Sequence, residues 1–121
     1  MASVIFDTLA NAWTQILLDT PCYASIHFEF PTPDDPAASE VDGLSYARSP
    51  FIWDTAASQR ALVNNDSLEW LNLDATTIIG VGTWDAPTGG NLLLFHQFDE
   101  PVSVADLGSY GLDARQLFVV V

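Results

Sequence analysis

The 121-residue chain carries sixteen acidic residues against three bases (Arg48, Arg60 and Arg115) and no lysine, a net charge of −13. Such a chain repels a nucleic-acid backbone, and the missing lysine removes Schiff-base chemistry, the P-loop lysine and a lysine general base. With 49% hydrophobic residues the length suits one domain, residues 1–121, with room for a core that needs no metal staple, and a lone cysteine, Cys22, excludes an internal disulfide.

The opening stretch MASVIFDTLANAWTQILLD has no basic region and is interrupted by Asp7, so it is not expected to be a signal peptide. No apolar run approaches the roughly 18 residues of a membrane helix, and no membrane partner is expected. Residues 4–18 read as the one helix: Phe6, Leu9, Ala10, Trp13, Ile16 and Leu17 recur at spacings of three and four. Ser3 is the expected N-cap and Asp7 suits the first turn. Asp-Thr-Pro at 19–21 ends the helix, because proline disfavours the α conformation before it. This helix packs either on its own domain or on a partner subunit. Cys22, beside Pro21, reads as a small buried hydrophobe rather than a nucleophile.

YASIHFEF at 23–30 alternates, with Ala24, Ile26, Phe28 and Phe30 on one face and Tyr23, Ser25, His27 and Glu29 on the other; this predicts a half-buried strand. The segment 31–43, PTPDDPAASEVDG, predicts a long exposed acidic loop. Its oxygen ligands suit calcium, but EF-hand spacing is absent and no metal is expected. Further strands are expected at 44–48, 51–53, 60–63, 67–73, 76–84, 91–98, 102–104 and 113–121, separated by Gly, Pro and Asn/Asp turns. No helical crossover lies between them. The fold class is therefore mainly β, an antiparallel sandwich or barrel-like domain over 22–121 with one N-terminal helix.

GVGTWDAPTGGNLLLFH, from Gly80 to His96, holds four of the seven glycines. It is not a phosphate loop: a Walker loop needs lysine before a helix, and a dinucleotide fingerprint needs glycine where Asp85 stands. Pro87, Gly89 and Gly90 have the chemistry of a tight reversal, so the stretch predicts a hairpin. Gly80 and Gly82, inside the first of its strands, point to a bulge or a close neighbour. His27 and His96 are isolated, and zinc would need both plus carboxylates. No nucleophile elbow is present, and the acids that a glycosidase pair would need lie mostly in turn segments. Trp13, Trp53, Trp70 and Trp84 suggest core or subunit-interface packing before a sugar-stacking platform. No catalytic residue and no cofactor is expected.

EVDGLSYAR (40–48) followed by VGTWDAPTGGNLLLFHQFDEPVSV (81–104) resembles a family of small tailed-bacteriophage virion proteins, often labelled tail fibre or minor tail proteins, whose relatives also decorate heads. The matches are Glu40, Val41, Tyr46, Ala47 and Arg48, then Val81, Gly82, Trp84, Asp85, Ala86, Gly89, Gly90, Asn91, Leu92 and Leu93, then Pro101 and Val104. Gly80 departs from the family's frequent histidine, and the Gly-Asp after the Pro-x-x-Val segment is blurred into ADLGS (105–109). The resemblance implies a non-enzymatic structural protein of the virion exterior. The reading adopted is a head decoration or adaptor protein, with a tail fibre or minor tail protein as the alternative and a carbohydrate-binding sandwich as a third. Expected partners are copies of itself, as a trimer, and other virion proteins such as the major capsid or tail proteins. Phe6, Trp13, Arg48 and Trp84 are the candidate interface residues, although an intramolecular partner for Arg48 is favoured.

Overall fold

A computed structural model describes residues 6–55 and 61–120. The predicted Ser3 cap, residues 4 and 5 of the predicted helix, the side chain of Asp7, Arg60 and Val121 lie outside what is described. The described elements are one α-helix, α1 (Asp7–Asp19), a short 3-10 turn at Pro36–Ser39, and nine strands: β1 (Cys22–His27), β2 (Ser49–Phe51), β3 (Trp53–Thr55), β4 (Ala61–Asn64), β5 (Leu68–Leu73), β6 (Thr76–Trp84), β7 (Leu92–Val104), β8 (Gly108–Leu112) and β9 (Phe118–Val120). All pairings are antiparallel. They form three sheets, ordered β2-β1-β6-β7, β3-β4-β9 and β5-β8, in a sandwich-like arrangement. Of the two expected architectures, the sandwich is the one formed; among the described residues no sheet closes into a barrel.

The core lies between the β1–β6 face and β5. Ala24 and Ile26 sit opposite Thr83 and Val81 in register, and these inward positions are buried. From β5, Trp70 crosses the layer and its indole Nε1–H donates to the Ala24 carbonyl at 3.1 Å. That bond satisfies the one polar atom of a side chain that is only 1% exposed. The β5 alternation breaks at Asn72, whose φ of 51° adds a residue and returns Leu73 to the core.

Several expected boundaries are corrected. Residues 44–48 are not a strand: Tyr46 N–H closes a turn on the Gly43 carbonyl at 3.3 Å, and the segment follows its side chains towards Glu40. The two strands expected at 91–98 and 102–104 are one, β7. It loses register with β6 between Gln97 and Val102, where Pro101 sits, as proline is tolerated at a bulge or sheet edge. Instead of one strand over 113–121, among the described residues only Phe118–Val120 pairs, with β4. Residues 113–117 form a turn clamped by the fully buried Asn64, whose amide donates to Asp113 O at 3.0 Å and accepts from Leu117 N–H at 2.8 Å. β8 was not expected, because Gly108 and Gly111 dilute its pattern. Tertiary pairing with β5 overrides that weak propensity, and Tyr110 stacks on Trp70 with ring centroids 6.1 Å apart.

Candidate functional site

The outer face of the β1–β6 sheet holds a buried polar cluster. Its position follows from register: Tyr23, Ser25 and His27 sit opposite Trp84, Gly82 and Gly80. The two glycines leave that face bare, and larger neighbours fold over them. A Cβ on Gly82 would lie 2.6 Å from Ser25 Oγ and 2.9 Å from His27 Nε2, and one on Gly80 would meet the Phe95 ring at 2.6 Å. The expected close neighbour of these glycines is thus His27 and Phe95. β1 is not half-buried as its alternation predicts; Ser25 and His27 are fully enclosed.

A hydrogen-bond chain runs through this layer. Trp84 Nε1–H donates to Ser25 Oγ at 2.7 Å, and Ser25 Oγ lies 2.6 Å from His27 Nε2. His27 Nδ1 lies 2.7 Å from Ser39 Oγ, whose hydroxyl donates to the Pro36 carbonyl at 3.2 Å. One consistent direction satisfies every member: Ser25 donates to Nε2, and His27 stays neutral with its proton on Nδ1. Burial holds the imidazole down at about 4, against the partly compensating pull of Glu40, with Arg48 adding to the depression. Ser25 and His27 stand at a distance suited to a nucleophile and base. Ser25 is nonetheless sealed and already accepts from Trp84, so the pair ties the segment 36–39 to the sheet and presents nothing to solvent.

Arg48 closes the other end of the layer. Its Nη2 donates to Glu40 Oε1 at 2.6 Å, Nε donates to the same carboxylate at 3.2 Å, and Nη1 donates to the carbonyls of Ala86 at 3.0 Å and Gly89 at 2.8 Å. The guanidinium also lies over the Trp84 ring, 3.6 Å from its centroid. Tyr46 donates to Glu40 Oε2 at 2.6 Å; burial first, then the Glu40 bond and charge, raise its phenol above the ordinary range. Arg48 therefore has an intramolecular partner. It fastens the segment 40–48 to the 85–91 turn, where Asp85 accepts from Asn91 N–H at 2.7 Å and is held below its usual pKa by that bond. These contacts link the two stretches quoted from the sequence. The loop 31–43 is exposed at residues 32–35, 37, 38 and 42, as expected, but it is pinned to the domain at Pro31, Ser39 and Val41, which are buried.

The remaining candidates separate by exposure. Trp53, Trp70 and Trp84 are at most 2% exposed, so a platform of several stacked indoles is not formed by them. Cys22 is buried, and burial pushes its thiol up to about 11. Among the described residues no three His, Cys, Asp or Glu side chains come together as a metal site. No described helix is long and apolar enough to cross a membrane.

The helix behaves differently. Ala10, Thr14 and Leu17 face the domain and are buried, and α1 lies against β3. Phe6, Leu9, Trp13 and Ile16, at the N-cap and along the neighbouring stripe, are 78%, 47%, 42% and 58% exposed. At 3.6 residues per turn the two stripes are centred roughly a quarter of a turn apart. The helix is thus docked by the edge of its apolar face, and the larger part faces outward. Of the four candidate interface residues, Phe6 and Trp13 lie on this outward stripe, whereas Arg48 and Trp84 are inside the subunit.

The family model described as Gp80, podophage GP4 fiber I protein gp80, matches residues 5–119. The description fits a tail-fibre reading better than head decoration. No curated protein matches the chain.

Proposed function

The chain belongs to the podophage GP4 fiber I protein family and is a component of the virion; on that premise we propose that it is a non-enzymatic structural subunit of the tail-fibre apparatus. It works by docking the outward stripe of α1 on neighbouring virion subunits. The observation that carries this reading is the uncovered row of Phe6, Leu9, Trp13 and Ile16 beside a domain whose polar clusters are sealed. Exposed contiguous apolar surface of this kind marks an interaction site. Residues 8–18 carry no charge, so in a chain of net −13 this is where copies of the protein meet with least repulsion, and a trimer on the particle uses the same stripe.

The test is a count of this chain in purified particles by quantitative mass spectrometry against the major capsid protein, together with gold labelling of intact particles. A handful of copies with label on the tail supports the fibre reading. A ratio near one with label on the capsid restores the decoration reading, and absence from particles removes both.

A further inference from the structure

The geometry points to a second docking surface, the free edge of β7 over residues 92–97, which accepts an extended segment of another virion protein bearing an apolar anchor and a basic end. β7 is the outer strand of its sheet and pairs, among the described residues, with β6 alone. No residue of β7 before Val104 is buried. A long strand edge leaves a row of backbone donors and acceptors ready to pair, and proteins ordinarily blunt such edges with charge, proline or a bulge. Here the charge and the proline are confined to one half. Between Gln97 and Val102 the register with β6 slips, and Asp99, Glu100 and Pro101 occupy the slip. Residues 92–97, LLLFHQ, carry no acidic residue and no proline and span about 20 Å of strand, with a second slip against β6 between Leu92 and Leu94 that leaves 94–97 in unbroken register.

Beside that half-edge lies an open groove of ≈ 490 Å³, lined by Phe30, Pro31, Pro33, Pro36, Leu92 and Phe95 among others. Phe30 is 61% exposed and packs edge-on against Phe95 with centroids 5.0 Å apart. An added strand gains main-chain hydrogen bonds from the edge and places alternate side chains into the adjoining groove. Its apolar or aromatic residue sits over Phe30 and the prolines. A few residues along, its end reaches the exposed Asp99 and Glu100 and is matched by lysine or arginine there. The same charges, and the net −13 of the whole chain, oppose a second copy of this protein as the occupant. This surface is separate from the α1 stripe, so its failure leaves the helix-mediated reading standing.

The probes are two capped synthetic peptides, Thr-Val-Thr-Phe-Thr-Val-Lys-Lys and its reverse, which cover parallel and antiparallel addition. Amide hydrogen exchange is followed by NMR on the full chain. At saturation with one of them, amides within 92–97 are expected to exchange about tenfold more slowly. The double variant Asp99→Asn/Glu100→Gln, both exposed positions, is expected to weaken that peptide about fivefold, and Phe30→Ala to weaken it further. The proposal is overturned by unchanged exchange at 92–97 with both peptides up to about 1 mM. It is also overturned by protection elsewhere on the chain, by affinity indifferent to the charge variant, or by concentration-dependent protection without peptide, which would make a second copy the occupant.

Discussion

The Arg48 guanidinium lies 3.6 Å from the centroid of the Trp84 ring while its edge donates to Glu40 at 2.6 Å. One side chain thus bridges a segment that begins at residue 40 and a turn that ends near residue 91. Removing it leaves the Glu40 carboxylate, whose side chain is 13% exposed, with Tyr46 as its remaining side-chain partner. Arg48→Ala is expected to cost about 3 kcal/mol of unfolding free energy. Arg48→Lys keeps the charge but loses the planar fork and the stacking, and should recover less than half of that loss. Urea denaturation measures both; a fully rescuing lysine would show that charge alone holds the bridge.

His27 makes the subunit sensitive to mild acid. Its folded value of about 4 lies below the ordinary 6.5, so the unfolded chain takes up a proton first. The stability tied to the neutral ring is therefore complete above pH 6.5, drains as pH falls towards 4, and changes no further below it. The full loss is about 3 kcal/mol. Between pH 6.5 and 5, before most carboxylates titrate, stability should decline in the wild type and stay nearly flat in His27→Gln. A ring NMR titration gives the direct reading: a His27 midpoint near 6.5 would contradict the sealed, neutral assignment.

Two glycines of the same hairpin should answer differently to alanine. A Cβ on Gly80 collides with the His96 carbonyl and the Phe95 ring, so Gly80→Ala forces a backbone or ring shift worth about 2–3 kcal/mol. Gly89 has open space around its would-be Cβ, and only its φ of 61° resists. Gly89→Ala should cost about 1 kcal/mol. Equal thermal shifts in the two variants would mean that conformation, not contact, governs both sites.

The outward helix stripe predicts a split between folding and assembly. Trp13→Ser and Ile16→Ser should each alter monomer stability by about 1 kcal/mol or less, since these side chains are 42% and 58% exposed. The same variants should lower incorporation into particles and shift sedimentation of the concentrated protein towards monomer. Normal incorporation with unchanged sedimentation would free the stripe of any docking role.

Local pattern carried the elements that local pattern controls. The spacing of three and four in Phe6 to Leu17 predicts α1, and its observed span, Asp7–Asp19, differs from 4–18 by a turn or less. β-branched residues and the Pro-Thr-Gly-Gly turn predict β6 and its hairpin with β7. Composition alone made lysine chemistry and an internal disulfide impossible. β8 escaped because two of its five residues are glycine and only the partner strand β5 holds it extended.

Burial was decided by the tertiary structure. Alternation told which β1 side chains share a face, but only register brings Gly80 and Gly82 beneath His27 and Phe95 and turns the expected polar face into a second sealed layer. Glu40 and Arg48 are close in sequence, yet their tie to Trp84 and the 85–91 turn depends on the fold. On α1 the sequence set how wide the apolar stripe is, through residue type and helical period. How the helix rolls against β3 set which part stays uncovered, because that angle comes from packing between segments distant in the chain.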